Sequence, residues 1–311
     1  MSITTLTSVS ADETAMHWTL RESLSILTAS TWRSAIDITF DWAVIAIATW
    51  TAYRVGNWAT LPAIVVIGNR QRALGNLLHE SSHQNLSPHS RINDMMAQLL
   101  LAAPLFVNLT LYRRQHARHH AWLGQPSHDP DFIACKANKN DRWFDAYFRI
   151  LLSYPVWIGS LLGHLFGKRL SHRQWIAVVL WWGVCETLVA ILLGTYMACL
   201  FFMLWMIARG TVFHAITTFR EMTDHYGLSP TDIFQYTREI PTHGFASILL
   251  HPHYNGYHLT HHLFPHIPYY HLPRAHALLA RNPMFSRRAI ICRTYLGAKP
   301  AGISGWGVDH V

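Results

Sequence analysis

The longest apolar run in the chain is Trp175 to Ala208, 34 residues that contain one charged side chain, Glu186. A single helix of that length would measure about 51 Å, whereas the hydrocarbon core of a bilayer is about 30 Å thick. We therefore predict two spanning helices that turn near Gly194–Thr195. Only 14% of all residues are charged, against about 25% in an average soluble domain. This composition argues against a disordered chain and favours a polytopic membrane protein.

A second helical hairpin is predicted between Ser34 and about Leu78. This segment contains two short apolar runs that are separated by Arg54, Gly56 and Asn57. Each run needs its flanking residues to reach the length of a span, about 20 residues. The second helix is predicted to continue through Arg70 and Arg72 toward His79.

Two further apolar segments are not predicted to cross the membrane. Met95–Tyr112 contains Pro104, which disfavours one straight helix, and Ile150–Gly167 is interpreted as an interfacial or buried helix. Arg209–Val311 is polar and is predicted to contain no further span. The predicted fold is therefore all-α, with about four transmembrane helices and a cytosolic helical cap. The predicted domains are a cytosolic N-terminal segment (1–33), a membrane domain (34–275) and a cytosolic tail (276–311), with an amphipathic surface helix at Ala15–Leu27.

The net charge is +8 with histidine neutral, and such an excess of positive charge usually lies on the cytoplasmic face of a membrane protein. The arginines flank apolar runs and form no long basic stripe, so a nucleic-acid partner is not predicted. The four cysteines include no Cys-x-x-Cys pair, and we interpret them as inert thiols.

Histidine is the unusual residue, with 22 copies against 17 acidic residues. Eight of the histidines fall into three clusters, His79/His83, His116/His119/His120 and His258/His261/His262. On a helix, positions i, i+3 and i+4 share one face, so each cluster directs two or three imidazoles toward the same point. The clusters exceed the needs of one tetrahedral site and predict two metals. Imidazole suits zinc, copper, iron and nickel, so the spacing alone leaves the metal open.

The three clusters also carry a resemblance to a known family. The blocks are Arg70-Gln-Arg through His83, Tyr112-Arg-Arg-Gln-His116 through His120, and Tyr257 through His262 followed by Leu-Phe-Pro-His266. Together they resemble the membrane fatty-acid desaturase and hydroxylase superfamily over roughly Arg70 to Pro273. The resemblance implies a cytosolic non-haem di-iron centre that uses O2.

The resemblance also implies individual roles. Arg220 to His225 resembles a family block that supplies a further ligand, here His225, with His214 as the competing candidate. The implied ligands are His79, His83, His116, His119, His120, His225, His258, His261 and His262, and no catalytic residue beyond these ligands is implied. The residues that would orient the ligands or hold a water are Glu80, Asp129, Asp131, Asp224 and Asn255. Two alternatives stay open: Glu80 could lie on a solvated face, and Asp129 and Asp131 could belong to an Asp-Pro turn.

Three functions are consistent with these features. The first is an O2-dependent desaturase that acts on an acyl chain or a similar lipid. The second keeps the di-iron chemistry but desaturates, hydroxylates or ketolates a carotenoid or a small specialised metabolite such as an amino-acid derivative. The third, from another class, is a metal transporter or metal-binding protein. Because the sequence contains no cytochrome-b5-like His-Pro-Gly-Gly motif, an external donor of the ferredoxin or cytochrome b5 type is expected to supply electrons.

Overall fold

The computed structural model describes residues 24, 26–135, 141–165, 170–241, 244–297 and 299–307. Most of the predicted surface helix Ala15–Leu27 therefore lies outside the described residues. In chain order the helices are α1 (Thr31–Val55), α2 (Asn57–Ser82), α3 (Ser90–Ala97), α4 (Leu109–Ala121), α5 (Trp143–Leu151), α6 (Tyr154–Leu162), α7 (His172–Leu193), α8 (Thr195–Ala208), α9 (His214–His225), α10 (Ile233–Tyr236), α11 (Gly244–Leu250), α12 (His258–Leu263), α13 (Leu272–Leu279) and α14 (Pro283–Arg288).

The chain divides into two compact units. The histidine unit comprises 1–29, 113–149 and 219–311, and the hairpin unit comprises 30–112 and 150–218. Both are mostly helical. In the described residues, the strands are β1 (Arg238–Glu239) and β2 (Ile290–Ile291), which pair in parallel. The domain limits predicted at 33 and 275 stay predictions.

Both predicted helical hairpins are confirmed. Gly56 joins α1 to α2 with a φ of 79°, and Gly194 joins α7 to α8 with a φ of 93°. Glycine reaches positive φ without a Cβ clash, so the chain reverses within one residue at both sites. In the hairpin unit, Trp42 of α1 stacks on Trp205 of α8 with ring centroids 5.5 Å apart.

Three helical stretches in the described part of the chain are long and apolar enough to cross a membrane: Thr31–Val55, Gln174–Leu193 and Thr195–His225. Helix α2 is long, but its second half carries buried polar residues, among them Arg70 and Arg72. Arg70 forms an ion pair of 2.9 Å with Asp41, and both side chains are buried. The buried Asp41 of α1 thus has a partner in the neighbouring helix. Whether α2 is a fourth span stays a prediction.

The helix that begins at Thr195 extends beyond Ala208, where the long apolar run ends. The helix continues from α8 through a π-helical turn, Arg209–Phe213, and into α9, so this candidate span ends at His225. Arg209 is 2% exposed. Its guanidinium donates to the carbonyl oxygens of Leu161 at 2.9 Å and Leu105 at 2.8 Å. Two of the three guanidinium nitrogens are thus hydrogen-bonded within the hairpin unit, which lowers the cost of burying this charge.

The two segments that were predicted not to cross are both broken into short pieces. Helix α3 ends at Ala97 and continues as a π-helical turn to Ala102, and regular helix resumes only at Leu109. Helix α6 has nine residues, far below the length of about 20 residues that a span needs. Pro104 therefore falls between helices, as its missing N–H requires.

Candidate metal centre

Seven of the nine predicted ligands lie in the histidine unit, on three helices. Helix α4 carries three of them, α12 carries three, and α9 ends at His225. The i, i+3, i+4 spacing places the three histidines of α4, and likewise those of α12, on one helix face. The predicted shared faces are therefore correct within this unit, and each face supplies two of its imidazoles to one set and the third to another. The seven histidines are His116, His119, His120, His225, His258, His261 and His262.

The first histidine set consists of four residues, His119, His225, His258 and His262. One ligand nitrogen of each lies within 4.8 Å of those of the others. The Nε2 atom of His258 is 2.9 Å from Nε2 of His225 and 3.1 Å from Nε2 of His262. His119, His258 and His262 are buried. Four imidazoles thus converge on one point away from water.

Hydrogen bonds at Nδ1 explain which nitrogens of the first set face this point. Nδ1 of His119 donates to Oδ1 of Asp129 at 2.9 Å, and Nδ1 of His225 donates to the carbonyl oxygen of Tyr236 at 2.7 Å. A neutral imidazole with its proton on Nδ1 has a lone pair on Nε2. Lone pairs that face one another repel unless a cation lies between them, so this donor set fits a metal ion.

Burial favours the neutral form of two histidines of the first set, His258 and His262. Burial lowers the pKa of His258 and of His262 well below the ordinary value, and neighbouring imidazoles lower both further. Neutral imidazole is the form that binds metals. These two side chains therefore need not lose a proton when a metal binds.

His119 differs because it has an acidic partner. Burial acts to lower the pKa of His119, but the hydrogen bond to Asp129 and the charges of Asp131 and Asp129 outweigh burial and raise it. Burial likewise acts to raise the pKa of Asp129, but the hydrogen bond and charge of His119 and the backbone N–H groups of Gly124 and Asp131 lower it. A carboxylate that holds Nδ1 of a ligand imidazole is a common feature of metal sites.

The second histidine set consists of His116, His120 and His261. The Nε2 atoms of His116 and His120 are 3.0 Å apart. The ring of His261 lies 5.2 Å from that of His120 and 6.2 Å from that of His116, between centroids. A second group of imidazoles in the histidine unit therefore also faces a common point.

The remaining predicted ligands, His79 and His83, lie at the end of α2 in the hairpin unit. Their ring centroids are 5.5 Å apart. Nδ1 of His79 lies 3.2 Å from Oε1 of Glu80, and Oε2 of Glu80 accepts from Asn85 at 3.1 Å. Glu80 is buried, so it does not lie on a solvated face, and its carboxylate lies beside the imidazole of His79.

The other predicted neighbours of the site differ in their contacts. Asp131 is exposed, and its Oδ2 is 3.9 Å from Nδ1 of His119. Asp224 forms an ion pair of 2.7 Å with Arg220 and lies 3.5 Å from Nε2 of His258. Asn255 is buried, and its Oδ1 has no hydrogen-bond partner among the described residues. Asp129 and Glu80 thus contact predicted ligands closely, whereas Asp131 does so only at long range.

The structure distinguishes His225 from its competitor, His214. His225 belongs to the first set. Nδ1 of His214 bonds to the Ser160 hydroxyl at 2.9 Å, and Nε2 of His214 bonds to the Leu151 carbonyl oxygen at 2.8 Å. Both nitrogens of His214 are thus engaged within the hairpin unit.

Three residues near the histidines were not among those predicted from the sequence: Tyr236, Arg238 and Glu239. Tyr236 stacks on His225 with ring centroids 5.0 Å apart and supplies the carbonyl oxygen described above. A backbone acceptor leaves no side-chain pattern in a sequence. Arg238 and Glu239 are completely buried charged residues, and their partners lie far away along the chain.

Comparisons with known proteins agree with this geometry. A family model described as fatty acid desaturase matches residues 56–293. The chain is also 28% identical over 290 residues to a dihydrorhizobitoxine desaturase from Bradyrhizobium elkanii, in an alignment that covers 87% of this chain and 82% of that relative. The family match extends over well more than half of the chain and includes every histidine of both sets, and on this basis the chain belongs to the fatty acid desaturase family.

Proposed function

We propose that the protein is a membrane-bound, O2-dependent di-iron desaturase. The observation that supports it best is the presence of two separate sets of converging imidazoles in one unit. One set would hold each metal ion. His79 and His83, at the end of α2, are further candidate ligands, because their spacing of four residues directs both rings to one side of a helix.

Iron is the proposed metal. The donors are all imidazole nitrogens, which suit iron as well as zinc, copper and nickel, and membership of the desaturase family favours iron among these. When bound, the two irons would supply the oxidising power that removes two hydrogens from adjacent carbons of the substrate. The overall reaction balances when O2 becomes two water molecules, with two electrons from the substrate and two from an external donor of the ferredoxin or cytochrome b5 type.

The chain's own residues would hold the ligands in place. Asp129 and Glu80 would orient the rings of His119 and His79 through Nδ1. Asp224 would balance the charge of Arg220 beside His258. Asn255 has a buried carbonyl oxygen that suits a bound water. These contacts fix ring orientation, which outer residues of metal sites commonly do.

A small specialised metabolite is the proposed substrate class. The named substrate of the Bradyrhizobium elkanii relative is dihydrorhizobitoxine, and the likeness covers most of both chains. An acyl chain of a lipid is the second candidate, favoured by the description of the family model. The apolar helices of the hairpin unit would admit either substrate from the membrane, with the histidines on the cytoplasmic side.

Transport of metal ions is the rival function. Transporters place polar ligands near the midplane of the membrane, on broken spans. Here the proposed ligands lie outside the three candidate spans, except for His225, which is the last residue of one. This placement favours an enzyme.

Metal analysis and turnover test the proposal together. The protein would be purified in detergent, its metals counted by mass spectrometry, and oxygen uptake followed with ferredoxin, its reductase and either dihydrorhizobitoxine or lipid extracts. We expect two irons per chain and a product two mass units lighter than its substrate. His119→Ala and His261→Ala should each abolish turnover and lower bound iron. Retained zinc without oxygen uptake, or full turnover in either variant, would contradict the proposal.

A further inference from the structure

Two adjacent buried charges, Arg238 and Glu239, form strand β1. Both residues are completely buried, and successive side chains of a strand point to opposite faces. The strand itself is held firmly. The N–H of Cys292 donates to the carbonyl oxygen of Glu239 at 2.8 Å, and the N–H of Ile240 donates to the carbonyl oxygen of Gly256 at 2.7 Å.

Arg238 binds the end of helix α9. Its guanidinium donates to the carbonyl oxygens of Thr223 at 3.2 Å and Tyr226 at 2.9 Å, and also to that of Ser304. The last carbonyls of a helix have no partner within the helix, and a basic side chain commonly supplies one. The same helix end carries His225, so Arg238 fixes the position from which this imidazole projects.

Glu239 binds helix α12 in an equivalent way. Oε2 of Glu239 accepts from the N–H of Thr260 at 2.9 Å, and Oε1 accepts from the Thr260 hydroxyl and, at 2.8 Å, from Nδ1 of His276. A carboxylate only accepts hydrogen bonds, and three donors satisfy it here. Thr260 lies between His258 and His261, so Glu239 fixes the helix that carries three predicted ligands.

We propose that Arg238 and Glu239 are positioning residues that set the relative placement of α9 and α12 and thereby shape the metal sites. This inference rests on the proposed function, since it assumes one metal in each histidine set. It predicts that the two residues affect different numbers of metal sites. Helix α9 contributes only His225, a member of the first set, whereas α12 contributes His258 and His262 to the first set and His261 to the second. Arg238 therefore acts on one metal and Glu239 on both.

Iron release kinetics test this inequality. The full-length protein is purified with its iron, reduced, and mixed with a coloured ferrous chelator. We expect two slowly released irons per chain in the unsubstituted protein. Loss of a residue that orients metal ligands commonly weakens binding about 10–100-fold. Arg238→Lys should therefore accelerate release of one iron at least about 10-fold and leave the other unchanged, whereas Glu239→Gln should accelerate both.

Matched controls use the partly exposed ion pair of Arg149 and Asp141. Arg149→Lys and Asp141→Asn make the same chemical changes and should leave both release rates unchanged. Thr260→Val, which loses the hydroxyl donor at nearly constant shape, should resemble Glu239→Gln, and Thr260→Ser should restore slow release. If Glu239→Gln is not recovered as a folded protein, the comparison of Thr260→Val with Thr260→Ser tests the positioning role of Glu239.

The outcomes separate this inference from the proposed function. An unsubstituted protein that holds no iron contradicts the proposed function. An unsubstituted protein with two slowly released irons, together with unchanged release in Glu239→Gln and Thr260→Val, overturns the positioning role alone. Equal acceleration of both irons in Arg238→Lys also overturns it, because a general loss of stability would then explain the result.

Discussion

The side chains of His119 and Asp129 are joined by a buried hydrogen bond of 2.9 Å between Nδ1 and Oδ1. The pKa of His119 is raised and that of Asp129 is lowered, so each favours the charged form of the other. Neutral imidazole is the form that binds metals, so the carboxylate that raises the pKa of His119 also opposes the loss of a proton from this ring when a metal binds.

The first prediction concerns the pH dependence of this pair. A raised histidine pKa stabilises the fold below the ordinary value, 6.5, and the stabilisation falls as pH rises through the raised pKa. A lowered aspartate pKa stabilises the fold above the ordinary value, 3.8, and the stabilisation falls as pH decreases through the lowered pKa. The metal-free protein should therefore be more stable than Asp129→Asn by roughly 1.5–3 kcal/mol between these values. The difference in melting temperature should shrink above pH 6.5, and a difference that stays constant to pH 9 would contradict the ion pair.

The second prediction compares two histidines of one continuous helix. His225→Ala removes a member of the first set and should lower bound iron from two to about one per chain, with loss of turnover. His214→Ala removes a side chain that bonds to Ser160 and Leu151 and should keep both irons. Metal counting by mass spectrometry on purified protein distinguishes the two, and the reverse pattern would show that the ligand has been misassigned.

The third prediction concerns the close contact of Gly227 with Gly305. A Cβ added to Gly227, whose φ is +74°, would lie 2.2 Å from the carbonyl oxygen of Gly305. Left-handed backbone alone costs roughly 1–2 kcal/mol for a residue with a Cβ, so Gly227→Ala should destabilise the protein by more than about 2 kcal/mol. Gly183→Ala is the control, because nothing lies within 4 Å of its added Cβ and alanine favours a helix. Equal melting temperatures for the two variants would contradict the contact.

The fourth prediction concerns the thiols. None of the four cysteines belongs to either histidine set, and Cys185 lies within α7. Cys185→Ala should therefore keep two irons per chain and full turnover in the oxygen-uptake assay. Loss of iron in this variant would reveal a thiolate ligand.

The sequence predicts most of the local elements because their causes are local. The turn at Gly194 follows from the length of the apolar run, and the break near Pro104 follows from a missing backbone donor. The histidine faces of α4 and α12 follow from spacing alone. Each of these features depends on residues that are close together in the chain.

Features that depend on distant partners were not predictable from the sequence. Arg209 begins the segment that was predicted to be polar, but its side chain is buried and its acceptors, Leu161 and Leu105, are 48 and 104 residues away. Arg238 and Glu239 show no motif, because their partners are mostly backbone atoms and Thr260. The roles of such buried charged residues become clear only from their hydrogen bonds in the folded structure.

One continuous helix, Thr195–His225, contains both a candidate membrane span and, at its end, a proposed metal ligand. Each residue inserted into such a helix advances it by 1.5 Å and turns everything beyond it by about 100°. An insertion of one residue in α8 would thus point the imidazole of His225 away from its partners. The π-helical turn at Arg209–Phe213 contains one more residue per hydrogen-bonded turn than an α-helix does, so the length of this candidate span and the direction of the His225 imidazole cannot change independently.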